Sequence, residues 1–86
     1  MGSCRSQRCR VPHEQPQWVH DQRRVLGRRI RDLRIHRGHT QEDVVEMTDI
    51  DRRTFQRIEA GESDPRYGDL LRIARALDVP LAELVR

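Results

Sequence analysis

Apolar residues recur at helical spacing from Asp21 to the end of the chain. Leu26, Ile30 and Leu33 follow one another at i, i+4 and i+7, which places them on one face of an α-helix. The sequence does not show the alternation of apolar and polar residues that is typical of a half-buried strand. It therefore predicts an all-α fold, a compact bundle of about five helices.

Local signals predict where these helices begin and end. Gly38 follows a pair of basic residues and is expected to end the first helix. Thr40 and Asp43 have the spacing of a capping box at the start of the second helix. Asp51 is a suitable N-cap for a third helix, which we expect to end at Gly61. Two short helices joined by so short a turn are typical of a helix-turn-helix.

The later helices supply the rest of the predicted core. The inward-facing residues of the second and third helices are expected to be Val44, Val45, Thr48, Phe55 and Ile58. The fourth helix carries the apolar residues Leu70, Leu71, Ile73, Ala74 and Leu77. Asp49 is expected to adopt the left-handed conformation between the second and third helices. Trp18, close to the start of the first helix, is expected to cover the core as a lid.

Size and polarity limit what the chain can do. Eighty-six residues suit one small domain with a single core. Charged residues make up 36% of the chain and its mean hydropathy is −0.90. These values predict no membrane span, and no apolar signal segment is visible near the start. We therefore expect a cytoplasmic protein.

Charge is unevenly distributed along the chain. Residues 1–39 hold ten arginines and three acidic residues, a net +7, whereas residues 40–86 carry a net −4. Residues 1–20 have no helical period and are predicted to be a flexible basic arm; residues 21–86 are predicted to be the folded domain. A sequence pI of about 9.6 permits a polyanionic partner without requiring one.

The third helix carries a row of polar residues in addition to its core-facing residues. Arg52, Arg53, Gln56 and Arg57 follow the Asp51 cap within two turns. One interpretation is a helix face solvated by charge. The other is a surface that reads DNA, because arginine can bind guanine bidentately and glutamine can bind adenine.

A family resemblance favours the second interpretation. The segment IRDLRIHRGHTQEDVVEMTDIDRRTFQRIEAGESDPRYGDLLRIARALDVPLAEL resembles the Cro/phage-repressor (XRE) class of helix-turn-helix proteins. Its most specific parts are TQED, IEAGESDP and LLRIARALDVPLAEL, and the resemblance covers about residues 22–86. It implies a lambda-repressor-like DNA-binding domain, a sequence-specific transcriptional regulator that binds double-stranded DNA with its third helix in the major groove.

The resemblance also implies roles for individual residues. Arg52, Arg53 and Arg57 are the base-reading positions, and Gln56 is expected to read an adenine edge or to touch phosphate. Gln41 corresponds to the family residue that binds a phosphate.

Three further assignments concern the first two helices. The N-terminus of the second helix, near Thr40, offers free N–H groups and the positive end of the helix dipole to the same phosphate. Arg34 and Glu59 correspond to an ion pair that links the first helix to the end of the third. Arg34 is a second candidate for a phosphate contact.

The end of the chain has two interpretations. Leu81, Leu84 and Val85 could complete the core of the monomer, or they could form a two-fold contact together with Val79. We favour at least partial use in a homodimer. Such a dimer would place two recognition helices about 34 Å apart on a pseudo-palindromic operator.

Other functions find less support. The alternative to a transcriptional regulator is an antitoxin or another protein-interaction module, whose main partner is a protein. The spacing of Cys4, Cys9, His13 and His20 does not match a common zinc site, so no metal or other cofactor is expected. No nucleophile lies beside an evident base, and no phosphate-binding loop or ligand pocket is expected. The sequence therefore predicts that the protein is not an enzyme.

Overall fold

The structure, a computed structural model, describes residues 15–86. This part of the chain folds into five helices and contains no strand: α1 (Gln17–His36), α2 (Gln41–Thr48), α3 (Arg52–Glu59), α4 (Tyr67–Ala76) and α5 (Ala82–Val85). Helix α1 packs against α3 and α5, α2 packs against α3 and α4, and α4 packs against α5. The predicted all-α bundle is confirmed. None of these helices is long and apolar enough to cross a membrane.

Helix α1 begins earlier than the apolar pattern indicates. It starts at Gln17, after an extended Pro16, four residues before the predicted start at Asp21. Proline has no N–H to lose at a helix start, so the helix can extend up to it. Trp18 lies in this added turn and leaves 67% of its surface exposed. The prediction that Trp18 covers the core was therefore wrong.

Four residues in the left-handed conformation end helices and turn the chain. Gly38 and Gly61 have φ angles of 77° and 75°, and Asp49 and Asp78 have φ angles of 62° and 57°. At the end of α3, the amide of Glu62 donates to the carbonyl of Arg57 at 2.9 Å. Such bonds satisfy carbonyl groups that a helix end leaves free. The turn predicted at Asp49 is confirmed.

Side-chain caps fix the starts of the two central helices. The Thr40 hydroxyl accepts from the Asp43 amide at 3.1 Å, and the Asp43 carboxylate accepts from the Thr40 amide at 2.8 Å. The carboxylate of Asp51 accepts from the amides of Arg53 and Thr54. Both predicted caps are confirmed, and each contributes about 0.5–2 kcal/mol to helix stability.

A buried core lies between all five helices. Its members are Ile30, Val44, Ile50, Phe55, Ile58, Ile73, Ala74, Leu77 and Leu84, with Leu26, Leu33, Val45, Val79 and Leu81 packed partly against them. Thr48 is the one buried polar residue in the described chain. Its hydroxyl donates to the Val44 carbonyl at 2.7 Å and accepts from the Ile50 amide at 3.2 Å. This bridge stiffens the turn between α2 and α3.

Helices α1 and α3 approach so closely that one position of α1 admits only glycine. A Cβ added at Gly27 would lie 2.7 Å from the carbonyl oxygen of Ile58 and would also collide with that of Glu59. Real Cβ atoms do not come so close to backbone atoms, so any side chain here would push the end of α3 away from α1.

We expect Gly27→Ala to destabilise the domain by about 1–3 kcal/mol, because the backbone must shift to admit the methyl group. Gly68→Ala is the matched control: no atom lies within 4 Å of a Cβ there, and alanine favours a helix by up to about 1 kcal/mol. Urea unfolding monitored by circular dichroism measures both. Equal stability of Gly27→Ala and the wild type would contradict the close crossing.

Candidate nucleic-acid interface

Helix α3 has one buried face and one exposed face. Phe55 and Ile58 are 0% and 1% exposed and hold the helix in the core. Arg53, Gln56 and Arg57 are exposed and lie on the other side of the helix. Because the buried pair sets the rotation of α3 about its own axis, these three side chains face outward together.

Arg52 also lies in the first turn of α3, but its surroundings differ. Its guanidinium forms an ion pair with the carboxylate of Glu42 on α2. Both side chains are more than half exposed, at 58% and 52%. This pair was not predicted from the sequence, because the two residues lie on different helices with a turn between them. Arg52 is therefore held by its own chain, whereas Arg53 is not paired with any described residue.

A partly buried ion pair joins α1 to the end of α3. Arg34 Nε donates to Glu59 Oε2 at 2.7 Å, and Arg34 Nη2 donates to Glu59 Oε1 at 3.2 Å. The two side chains are 11% and 5% exposed. Gln41 Nε2, from the first turn of α2, donates to the same Glu59 Oε1 at 2.9 Å. One carboxylate of α3 thus collects donors from both α1 and α2.

This network determines which N–H groups of Arg34 and Gln41 remain available to bind a ligand. Arg34 also donates from Nη1 to the carbonyl of His39 at 3.0 Å, so its guanidinium is bound on three sides within the chain. These bonds support the structural role of Arg34 and use three of its five N–H groups, so its phosphate contact stays a prediction. Gln41 keeps one amide hydrogen free, and it lines a shallow depression together with Gln56.

The N-terminus of α2 has the features of an anion site. The capping box binds the amides of Thr40 and Asp43, which leaves those of Gln41 and Glu42 without an intrahelical partner. The pKa of the Asp43 carboxyl is lowered, first by the backbone N–H of Thr40 and then by the Thr40 side chain. The cap therefore stays charged and intact at neutral pH.

Several arginines of α1 bind the protein itself. Arg23 makes two bonds to Asp64, Nε to Oδ1 at 2.6 Å and Nη2 to Oδ2 at 2.8 Å, and so fixes the loop after α3. The hydrogen bond raises the pKa of Arg23 and lowers that of Asp64. Arg29 donates to the carbonyl of Arg86. Arg23 and Arg29 therefore hold parts of the domain together.

At the end of the chain the structure separates residues that the sequence grouped. Leu84 is 0% exposed and belongs to the core of the monomer, so its assignment to a dimer contact is corrected. Val85, the next residue, is 51% exposed. Val79 and Leu81 pack partly against the core and leave part of their surface accessible.

Other predicted features lie outside the described residues. These are the arm arginines Arg5, Arg8 and Arg10, and three of the four residues weighed as zinc ligands, Cys4, Cys9 and His13. The fourth, His20, lies in α1 with its Nδ1 at 3.3 Å from Arg23 Nη1.

The arrangement of α2 and α3 defines a class of protein. A profile of the helix-turn-helix domain family matches residues 25–86, most of the chain. The chain therefore belongs to the helix-turn-helix domain family, as the sequence resemblance implied. This is a family of DNA-binding transcriptional regulators and not of enzymes.

Individual relatives agree with this membership. The chain is 35% identical over 61 residues to the cryptic phage CTXphi transcriptional repressor RstR of Vibrio cholerae; the match covers 71% of this chain. The chain spans about half (55%) of the length of that relative.

Two solved structures share the fold. The restriction-modification controller protein C.AhdI from Aeromonas hydrophila has a TM-score of 0.70 and 31% identity, covering 72% of this chain and 94% of its own. The hypothetical transcription factor NHTF from Neisseria has a TM-score of 0.72 and 26% identity, covering 90% and 87%.

We expect Glu59→Ala to cost about 3–5 kcal/mol of stability, because it leaves the buried Arg34 guanidinium without its carboxylate. The double variant Arg34→Met/Glu59→Met should lose much less, since neither charge then remains buried alone. Urea unfolding of the single and double variants measures the coupling. Single losses that simply add in the double variant would contradict a coupled pair.

Proposed function

We propose that this protein is a sequence-specific DNA-binding transcriptional regulator that acts in the cytoplasm. In this proposal α3 enters the major groove of double-stranded DNA and α2 lies across the phosphate backbone. One observation carries it: Arg53, Gln56 and Arg57 face outward from a helix whose opposite side is locked into the core. The family membership and the repressor and controller relatives support it.

The exposed side chains have the chemistry of base recognition. An arginine that binds guanine O6 and N7 contributes about 1–3 kcal/mol of discrimination against a wrong base, and glutamine can bind adenine similarly. Arg53 and Arg57 need break no ion pair with the described residues before they bind. Arg52 must first leave Glu42, but an exposed ion pair is worth only about 0–1 kcal/mol. A good guanine contact exceeds that cost, so Arg52 remains a base-reading residue.

The phosphate contacts come from the start of α2. The Gln41 amide is held by Glu59, which leaves its second hydrogen for a phosphate oxygen. The free N–H groups and the positive end of the helix dipole act on the same anion, with the Thr40 hydroxyl beside them. These contacts carry no sequence information. They set how deep α3 lies in the groove.

The regulator acts as a homodimer in this proposal. Val85 of the C-terminal helix α5 is 51% exposed, and Val79 and Leu81, which precede α5, leave part of their surface accessible. A two-fold contact there would place two copies of α3 about 34 Å apart on a pseudo-palindromic operator.

Selection from random duplexes, followed by sequencing, should recover a pseudo-palindromic operator. Arg53→Ala should then bind that operator with roughly 5- to 150-fold lower affinity, which corresponds to about 1–3 kcal/mol, while its binding to scrambled DNA changes little. Gln41→Ala should weaken binding to both duplexes by a similar factor, because it removes a phosphate contact. Gel-shift titration measures both ratios.

Three results would each contradict part of this proposal. Recovery of no enriched sequence would exclude sequence-specific recognition. Equal losses on operator and scrambled DNA for Arg53→Ala would exclude base reading by that residue. An enriched site without two-fold symmetry would remove the homodimer but leave the base contacts in place.

Glu42→Gln should tighten operator binding by up to about fivefold, since Arg52 no longer has to break an ion pair worth up to about 1 kcal/mol. Glu46→Gln is the matched control: Glu46 is exposed on the same helix and has no ion-pair partner among the described residues. Both variants remove one negative charge. Equal gains for the two variants would show that Arg52 is not released onto DNA.

A further inference from the structure

Three arginines of α1 lie in a row beside the end of α3. Arg24, Arg28 and Arg31 follow one another at i, i+4 and i+7, so they share one face of the helix. We call them the α1 arginine row.

The row is continuous with the candidate DNA-binding surface. Arg24, Arg28 and Arg31 line a shallow depression together with Glu59 and Ala60 at the end of α3. A second depression shares three of these residues, and its lining is Arg31, Arg34, Gln41, Gln56, Glu59 and Ala60. The surface therefore runs without interruption from the row to the residues proposed to bind phosphate and bases.

The row is free to bind an anion. Arg28 and Arg31 are exposed, and neither forms an ion pair with any described residue. Arg24 pairs with Asp21 at 3.2 Å, but both side chains are 54% exposed, so that pair is weak. The carboxylate of Glu59, which lies in both depressions, is already neutralised by Arg34. The shared surface is therefore positively charged.

We propose that the α1 arginine row binds phosphates of the duplex that α3 reads, beyond the contacts made by α2. This inference rests on the proposed function. Arg24 and Arg31 are seven residues apart, which is about 10 Å along α1. Neighbouring phosphates of one strand lie farther apart than their rise of about 3.4 Å along the duplex axis, because the strand winds round that axis. The row is therefore long enough to contact two more phosphates. Arg28 and Arg31, which have no ion-pair partner among residues 15–86, supply these two contacts.

A purely structural role would have a different signature. The row lies near the C-terminal end of α3, whose free carbonyl groups carry a partial negative charge that cations stabilise. Removal of the arginines would then lower the stability of the domain. It would leave the salt dependence of DNA binding unchanged, because no counterions of the DNA would be involved.

The test compares two double variants of the full chain on the selected operator. Arg28→Gln/Arg31→Gln removes two charges from the row. Arg72→Gln/Arg75→Gln removes two exposed charges from α4 that line neither depression. Fluorescence anisotropy measures affinity between about 50 and 200 mM salt, and urea unfolding measures stability. A charge-preserving variant, Arg28→Lys/Arg31→Lys, shows whether charge alone suffices.

We expect the row variant to reduce the slope of log affinity against log salt by about 1.8, or about 0.9 for each lost phosphate contact. Over a fourfold change in salt, this makes its loss of affinity about tenfold smaller than that of the wild type. The lysine variant should keep the wild-type slope, and the α4 variant should keep most of it.

Each other result overturns the inference. Equal slopes for the row variant and the α4 variant would leave only a net-charge effect. Lower stability with an unchanged slope would show that the row only stabilises the end of α3. A wild-type protein that binds neither operator nor scrambled duplex would remove the proposed function itself, and the row's role with it. If the double variant does not fold, Arg28→Gln alone should reduce the slope by about 0.9.

Discussion

The carboxylate of Glu59 holds the three helices of the candidate interface together. It lies at the end of α3, accepts two bonds from Arg34 of α1, and accepts one from Gln41 of α2. Because it is only 5% exposed, its charge would be costly without these donors. The same point of the structure is where Gly27 lets the backbones of α1 and α3 approach. The ion pair of Glu59 and the close packing of the two backbones therefore fix the end of α3 in the same place.

Two kinds of interaction fix the position of α3. Phe55 and Ile58 hold the middle of the helix by apolar burial, and Asp51 caps its first turn. Apolar burial alone tolerates small rotations, since dispersion contacts are not directional. Hydrogen bonds to a buried carboxylate are directional, so the Glu59 network removes that freedom. The outward side chains of α3 are thus presented by a helix that is fixed along its whole length.

Local signals made much of this fold predictable from the sequence. The capping box at Thr40, the left-handed turn at Asp49 and the N-cap at Asp51 depend on residues within three positions of each other, so their spacing is sufficient. The pair of Arg34 and Glu59, 25 residues apart, came from the family resemblance and not from spacing. Neither spacing nor the resemblance indicated two other ion pairs, Arg52 with Glu42 and Arg23 with Asp64, so they were not predicted.

Helical periodicity also could not decide between core and surface at the ends of the domain. Leu84 and Val85 are neighbouring apolar residues, yet the first is fully buried and the second is half exposed. Trp18 is apolar and close to the core along the chain, but the added first turn of α1 leaves it in solvent. In both places the outcome depends on where a helix starts or stops relative to its neighbours. A single sequence determines such boundaries poorly.

The residues that stabilise the domain are distinct from those proposed to bind DNA. Glu59, Arg34 and Gly27 lie inside the crossing of α1 and α3, whereas Arg53 and Arg57 are exposed on the outer face of α3. Substitutions on the outer face of α3 therefore change contacts with a ligand at little cost in folding free energy. Gln41 is the exception, because one amide hydrogen serves the Glu59 network and the other is the one proposed to bind phosphate. Phosphate binding at that residue is thereby coupled to the position of α3, so a phosphate held by Gln41 would also hold the recognition helix in register with the duplex.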